Sequence, residues 1–215
     1  MNKQIKEALK LLQQTGKKTP KVKGYKIIEA FNIDECEGFI ASKDDWFYVV
    51  LHHTDSFKDA ITDIKAAKNR FYGARVHRGF LSYYKKIKKL IITSYSDMAH
   101  VTKNILICGH SMGSAIATLC AYDLSKYLHL ENVYCVTTGS PRVGNIRFSM
   151  MYNKLLGNRS IRLVNGNDIV TQVPPWFLLY RHVSKRFRIG DWKFWKFWGS
   201  TKDHRFEEYV KNYKE

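Results

Sequence analysis

Acidic side chains are scarce in this chain of 215 residues: 19 aspartates and glutamates stand against 36 lysines and arginines, a formal net charge of +17. That balance favours polyanionic surfaces, nucleic acid or anionic lipid head groups. No zinc-finger spacing, RNP motif or P-loop is present, so specific nucleic-acid recognition has no motif to rest on. The scattered lysines, such as Lys3, Lys6, Lys10, Lys85, Lys86, Lys88 and Lys89, read first as a solvated face. Long apolar runs are missing too; none approaches the roughly 18 residues that a membrane-spanning helix requires. Met1 to Lys18 alternates charge with Ile5, Ala8, Leu9, Leu11 and Leu12, which predicts a basic amphipathic helix over residues 1–20. It lacks the apolar block of a secretory leader, so the expected compartment is the cytoplasm, with peripheral contact to an anionic membrane surface left open. Cysteine is sparse. Cys36, Cys108, Cys120 and Cys135 have no metal-ligand spacing, and reduced, buried thiols are expected. With no internal repeat or flexible linker, residues 1–215 read as one domain.

What is present is an alternation of apolar strands and amphipathic helices. Tyr25–Phe31 and Glu37–Ala41 read as short strands, and Trp46–Leu51 as a central one that ends at His52-His53-Thr54-Asp55. Phe57, Ile61, Ile64 and Phe71 share one face at helical spacing from Ser56 onward. A second helix is expected from Gly79 through Ile92. Further strands are expected at Asn104–Cys108, Val133–Thr138, Ser160–Val164 and Arg181–Ile189, with helices over Asn145–Leu156 and Arg205–Tyr213. This order predicts an α/β fold with a mostly parallel central sheet covered by helices on both faces.

The chain is organised around Gly109-His110-Ser111-Met112-Gly113, between an Ile-rich strand and a helix that carries Ala115, Ile116, Leu119 and Leu124. The pattern G-x-S-x-G at a strand-to-helix turn is a nucleophile elbow. The serine must stand on a sharp turn, and side chains at 109 or 113 would collide with neighbouring backbone. The helix N-terminus aims its N–H groups at an anion, and the N–H of Met112 is placed to stabilise an oxyanion. An idle serine on a Gly-rich turn is the plain alternative.

A nucleophilic serine needs a base, and the base needs an orienting carboxylate. Asp168 is the first acid beyond the elbow that sits just past a strand, at the sheet edge where Ser111 also lies. Two histidines follow. His182 would open the last strand at the far edge, whereas His204 lies in a loop above the sheet, so His204 is the preferred base. Either histidine could instead be a hydrogen-bonded structural imidazole.

The chain resembles the class 3 lipases, the fungal-type triacylglycerol lipase family of the α/β-hydrolase fold. Gly109-His110-Ser111-Met112-Gly113 matches that family's G-H-S-L-G, Val76-His77-x-Gly79-Phe80 its V-H-x-G-F, and Gly139-Ser140-Pro141-Arg142-Val143-Gly144-Asn145 its G-x-P-R-V-G-N. Asp168-Ile169-Val170, with Pro174-Pro175, Tyr180-x-His182 and Asp203-His204 follow in the family's order. The resemblance implies a triad of Ser111, Asp168 and His204, structural roles for His77 and His182, and an oxyanion hole formed by Thr54 and Met112. It implies ester hydrolysis on lipid substrates, phospholipid included, without a metal or organic cofactor. The family's R-G-T is replaced here by His52-His53-Thr54, and the glycine after the elbow by Ser114.

Residues 55–75 occupy the place of the family's lid, and a mobile lid or a permanently docked helix both fit the pattern. Trp192-Lys193-Phe194-Trp195-Lys196-Phe197-Trp198 suits either a lipid interface or packing against Pro174-Pro175-Trp176. A catalytically silent scaffold and a polyanion-binding protein are the rival functions.

Overall fold

The computed structural model describes residues 1–33, 36–53, 67–194 and 199–213, with only the backbone of His53. Helix α1 (Asn2–Leu12) precedes β1 (Lys26–Ile33), β2 (Cys36–Lys43) and β3 (Trp46–His53). A hairpin of β4 (Lys68–Phe71) and β5 (Ala74–His77) leads into α2 (Arg78–Met98). Then follow β6 (Asn104–His110), α3 (Met112–Tyr127), β7 (Val133–Thr138), α4 (Ile146–Leu156), β8 (Ser160–Asn165), β9 (Lys185–Ile189) and α5 (Phe206–Asn212).

Seven strands form one sheet in the order β1-β2-β3-β6-β7-β8-β9. The first three pair antiparallel, and every pair from β3 to β9 is parallel. The apolar runs of the central strands follow from burial on both sides, because successive side chains point to opposite faces. Phe47, Val49, Leu51, Ile105 and Ile107 pack with α2, α3 and α4. Tyr48, Val50, Leu106 and Cys108 pack with α1 and α5. Helix α3 is buried from Met112 to Ser125 because it lies between the sheet and α2 and α4.

Four expectations are corrected. The N-terminal helix ends at Leu12 rather than reaching toward residue 20, and its apolar stripe of Ile5, Ala8, Leu9, Leu11 and Leu12 is buried in the core. Helix α2 runs to Met98, well past Ile92, with Ile91 and Ser94 continuing its buried stripe. Phe71 lies on strand β4 rather than on a helix. The chain reverses at Tyr72 and Gly73, both at positive φ (50° and 80°), and Phe71 packs edge-on against Tyr72 at 4.9 Å. The expected lid at 55–75 is therefore a hairpin from Lys68 onward, and residues 54–66 lie outside the described residues. The last strand begins at Lys185, not Arg181, because Ser184 turns at φ 63°. All four cysteines are free and buried.

Candidate active site

Strand β6 ends at His110, and the chain turns at Ser111 with φ 58° and ψ −130° directly into α3. That conformation is strained for a serine and holds the hydroxyl clear of the sheet. Close approach explains the flanking glycines. A Cβ at Gly109 would lie 2.4 Å from Gly113 O, and one at Gly113 would lie 2.4 Å from Leu51 O. Ser114 strengthens the turn: its Oγ lies 2.6 Å from Gly109 O and 2.8 Å from Thr138 O, and accepts the Thr138 N–H at 3.2 Å. The hydroxyl thus ties the elbow to β7.

The structure brings Ser111, His204 and Asp168 together. His204 Nε2 lies 2.9 Å from Ser111 Oγ. Its Nδ1 lies 3.0 Å from Asp168 Oδ2 and 3.1 Å from Oδ1. An ionised carboxylate only accepts, so Nδ1–H donates to Asp168 and Nε2 is left to accept the Ser111 proton. Asp168 is 1 % exposed and Ser111 4 % exposed. The carboxylate also accepts the Val170 N–H at 2.8 Å and the Tyr209 hydroxyl at 2.5 Å.

Strand ends and a tied loop set this geometry. Asp168 leaves β8 and caps the 3-10 turn Ile169–Gln172. The loop that carries His204 is bound to the same strand end. Ser200 N–H donates to Asn167 O at 2.7 Å, Asn167 N–H to Asp203 Oδ2 at 2.8 Å, and Asn165 Nδ2 to Asp203 O at 2.9 Å. The segment from Asp168 to His204, 36 positions apart in sequence, therefore closes on itself.

Beneath the relay, the His110 ring stacks on His204 at 4.8 Å and on His52 at 5.7 Å, and its Nδ1 lies 3.0 Å from Thr138 Oγ1. Burial, reinforced by His204 and His52, holds His110 well below 6.5, so it packs as a neutral ring. Neither His77 nor His182 joins the relay. His77 accepts the Phe80 N–H at 3.4 Å at the start of α2, and His182 Nε2 lies 2.8 Å from Thr171 O. Met112 opens α3, so its N–H belongs to the first helical turn, whose amides have no intrahelical acceptor. Thr54 lies outside the described residues, as do residues 195–198 of the aromatic segment. Among the described residues, no cluster of three or more His, Cys, Asp or Glu could hold a metal ion.

Sequence reasoning missed the contribution of Tyr209. Its signal was its place one helical turn into the segment after His204, which aims it back at the same strand end.

Residues 41–178 match the family model for lipase (class 3). The chain is 34% identical over 169 residues to a lipase of Rhizopus niveus, covering 73% of this chain and 43% of that one. It is 36% identical over 115 residues to a chloroplastic phospholipase A(1) of Arabidopsis thaliana, covering 47% of this chain and 25% of that one. The chain thus spans less than half the length of these curated relatives. A solved triacylglycerol lipase, whose catalytic centre is described as a serine protease triad, superposes with a TM-score of 0.75 at 25% identity, covering 84% of this chain and 79% of that one. The matched segment contains Ser111 and Asp168, while His204 lies beyond it and is brought in by the fold. By its elbow, its mostly parallel sheet and this match over more than half its length, the chain belongs to the class 3 lipase family.

Proposed function

We propose that this chain is a serine carboxylic-ester hydrolase acting on lipid esters, with Ser111 as nucleophile, His204 as base and Asp168 as orienting acid. The observation that carries this reading is the continuous relay from Ser111 Oγ through His204 to Asp168, at 2.9 and 3.0 Å. His204, fixed in one tautomer by Asp168, takes the Ser111 proton as the hydroxyl attacks the ester carbonyl. The Met112 N–H, with Thr54 as its assigned partner, stabilises the tetrahedral oxyanion. His204 then protonates the leaving alcohol, and water activated by the same imidazole releases the acid. None of these steps calls on a metal or organic cofactor.

A phospholipid substrate is supported by the likeness to a phospholipase A(1) and by the +17 charge, which suits an anionic membrane surface. Four buried free thiols fit a reducing compartment, in support of the cytoplasm. We treat residues 1–215 as one domain, since both faces of a single sheet carry the two core clusters.

Hydrolysis of p-nitrophenyl esters of two chain lengths by the wild type and Ser111→Ala tests the assignment. Loss of at least roughly three orders of magnitude in kcat is expected in the variant. A wild type inactive on every ester would leave the scaffold reading in its place. Salt-sensitive DNA retention without esterase activity would favour the polyanion binder.

A further inference from the structure

The seven-stranded sheet ends in two edge strands, β1 and β9, and the β9 edge is cationic. Lys185, Arg186, Phe187 and Arg188 are all exposed. Register decides which of them stand together. Arg162 on β8 pairs with Arg186 on β9, and Arg188 lies two residues further along the same face. Leu163 packs into the core beneath α1 and α5, and Phe187 lies tilted against Tyr213 at 6.3 Å on that side, so the three arginines share the opposite face. Among the described residues none of the three forms an ion pair, and the buried Nε of Arg162 has no hydrogen-bond partner.

A charged edge strand deters pairing with other chains, which accounts for Lys185 and Arg186. It does not account for Arg162, which lies one strand inward and is 7% exposed. A guanidinium so buried without an anion is costly to fold around. Burial and the neighbouring Arg186 pull it down to about 10. The arginine row continues into aromatics. The Arg188 guanidinium lies 5.3 Å over the Trp192 ring, Trp192 meets Phe194 at 6.3 Å, and these rings are 50% and 77% exposed. They sit just past the carboxyl end of β9, the sheet edge from which Ser111 and Asp168 also emerge. The amphipathic helix α1 does not compete for this role, because its apolar face is already in the core.

We propose that the β9 edge is a docking surface for an anionic lipid bilayer. Arg186 and Arg188, backed by Arg162, meet the phosphoryl head groups while Trp192 and Phe194 enter the interface beside them. The proposal deepens the membrane-contact reading above by locating it, and it does not require turnover. Cations at this spacing attract phosphoryl groups, and exposed Trp beside cations suits the head-group layer.

Flotation with phosphatidylcholine vesicles, with and without phosphatidylglycerol, tests it using wild type and Ser111→Ala. Both are expected to float with the anionic vesicles only. Arg186→Gln with Arg188→Gln is expected to weaken partitioning about thirtyfold, at about one kcal/mol per cation near the surface. Lys85→Gln with Lys89→Gln on α2 removes the same charge elsewhere and is expected to leave binding intact. Trp192→Ser with Phe194→Ser is expected to leave only weak, salt-reversible binding. Hydrolysis of a soluble short-chain ester reports folding in every variant that keeps Ser111, far-UV circular dichroism reports it for Ser111→Ala, and loss of hydrolysis in Ser111→Ala tests the hydrolase reading separately. Equal loss in the two charge variants would overturn the proposal in favour of diffuse charge. Displacement by millimolar inorganic phosphate would overturn it in favour of a free-anion site, and absence of flotation by the wild type would overturn it outright.

Discussion

The Tyr209 hydroxyl donates to Asp168 Oδ2 at 2.5 Å from a position with no solvent exposure. Burial, with the adjacent carboxylate, pushes this phenol well above its usual value, so at neutral pH it is a protonated donor. Asp168 is thereby held by a backbone N–H, a phenol and an imidazole at once. Tyr209→Phe keeps the ring and leaves one carboxylate oxygen short of a donor. We expect a stability loss of about 1–3 kcal/mol in urea unfolding, with a parallel fall in kcat as the His204 orientation loosens. Unchanged stability and kcat would mean that the phenol is dispensable.

Ser114 stands where the family pattern has glycine, and its hydroxyl joins Gly109 O to Thr138. Ser114→Ala removes that junction inside a fully buried helix start, at a cost of about 1–3 kcal/mol. Thermal unfolding checks the cost, and a Tm equal to that of the wild type would contradict it.

Acidification is expected to destabilise the fold through two imidazoles. Burial holds both His110 and His182 below 6.5, with Arg162 and Arg142 adding to the effect on His182. Both are neutral when folded and free to protonate when unfolded. As pH falls below 6.5 the unfolded chain therefore binds more protons, and stability declines by up to about 1.4 kcal/mol per unit for each group. Urea unfolding across pH 5 to 7 (roughly the window where an unfolded imidazole titrates) should show this decline. His182→Gln should show a shallower one, because glutamine has no proton to gain on unfolding while its amide can still donate to Thr171 O. Parallel curves would rule His182 out as a contributor.

The thiols are expected to be silent in the folded protein. Burial pushes Cys36 and Cys135 up to about 12 and raises Cys108 and Cys120 as well. Ellman's reagent should therefore find no fast-reacting thiol under native conditions and four after denaturation. A rapid native reaction would mean that one of these sites opens readily.

Much of the site was legible because its constraints are local. Strand, turn and helix coincide at Ser111, and the glycines at 109 and 113 are demanded by backbone contacts within a few residues or with the adjoining strand. Asp168 was legible from its place after a strand, and His204 from its place in a loop above the sheet. Phe71 misled because its spacing from Phe57, Ile61 and Ile64 fits a helix, while the Tyr72-Gly73 turn that makes β4 a strand end depends on positive φ at a tyrosine. His182 misled because alternation from Val183 to Ile189 looks continuous, although Ser184 breaks it at φ 63°. The arginine row could not be read at all. Arg162 and Arg186 are 24 residues apart and become neighbours only through parallel pairing of β8 with β9.

The most direct test of the central claim is covalent labelling with a fluorophosphonate, followed by peptide mapping. The account predicts a single adduct on the peptide that contains Ser111, absent in Ser111→Ala and much slower to form in His204→Ala. Labelling of another serine, or a rate indifferent to the loss of His204, would contradict it.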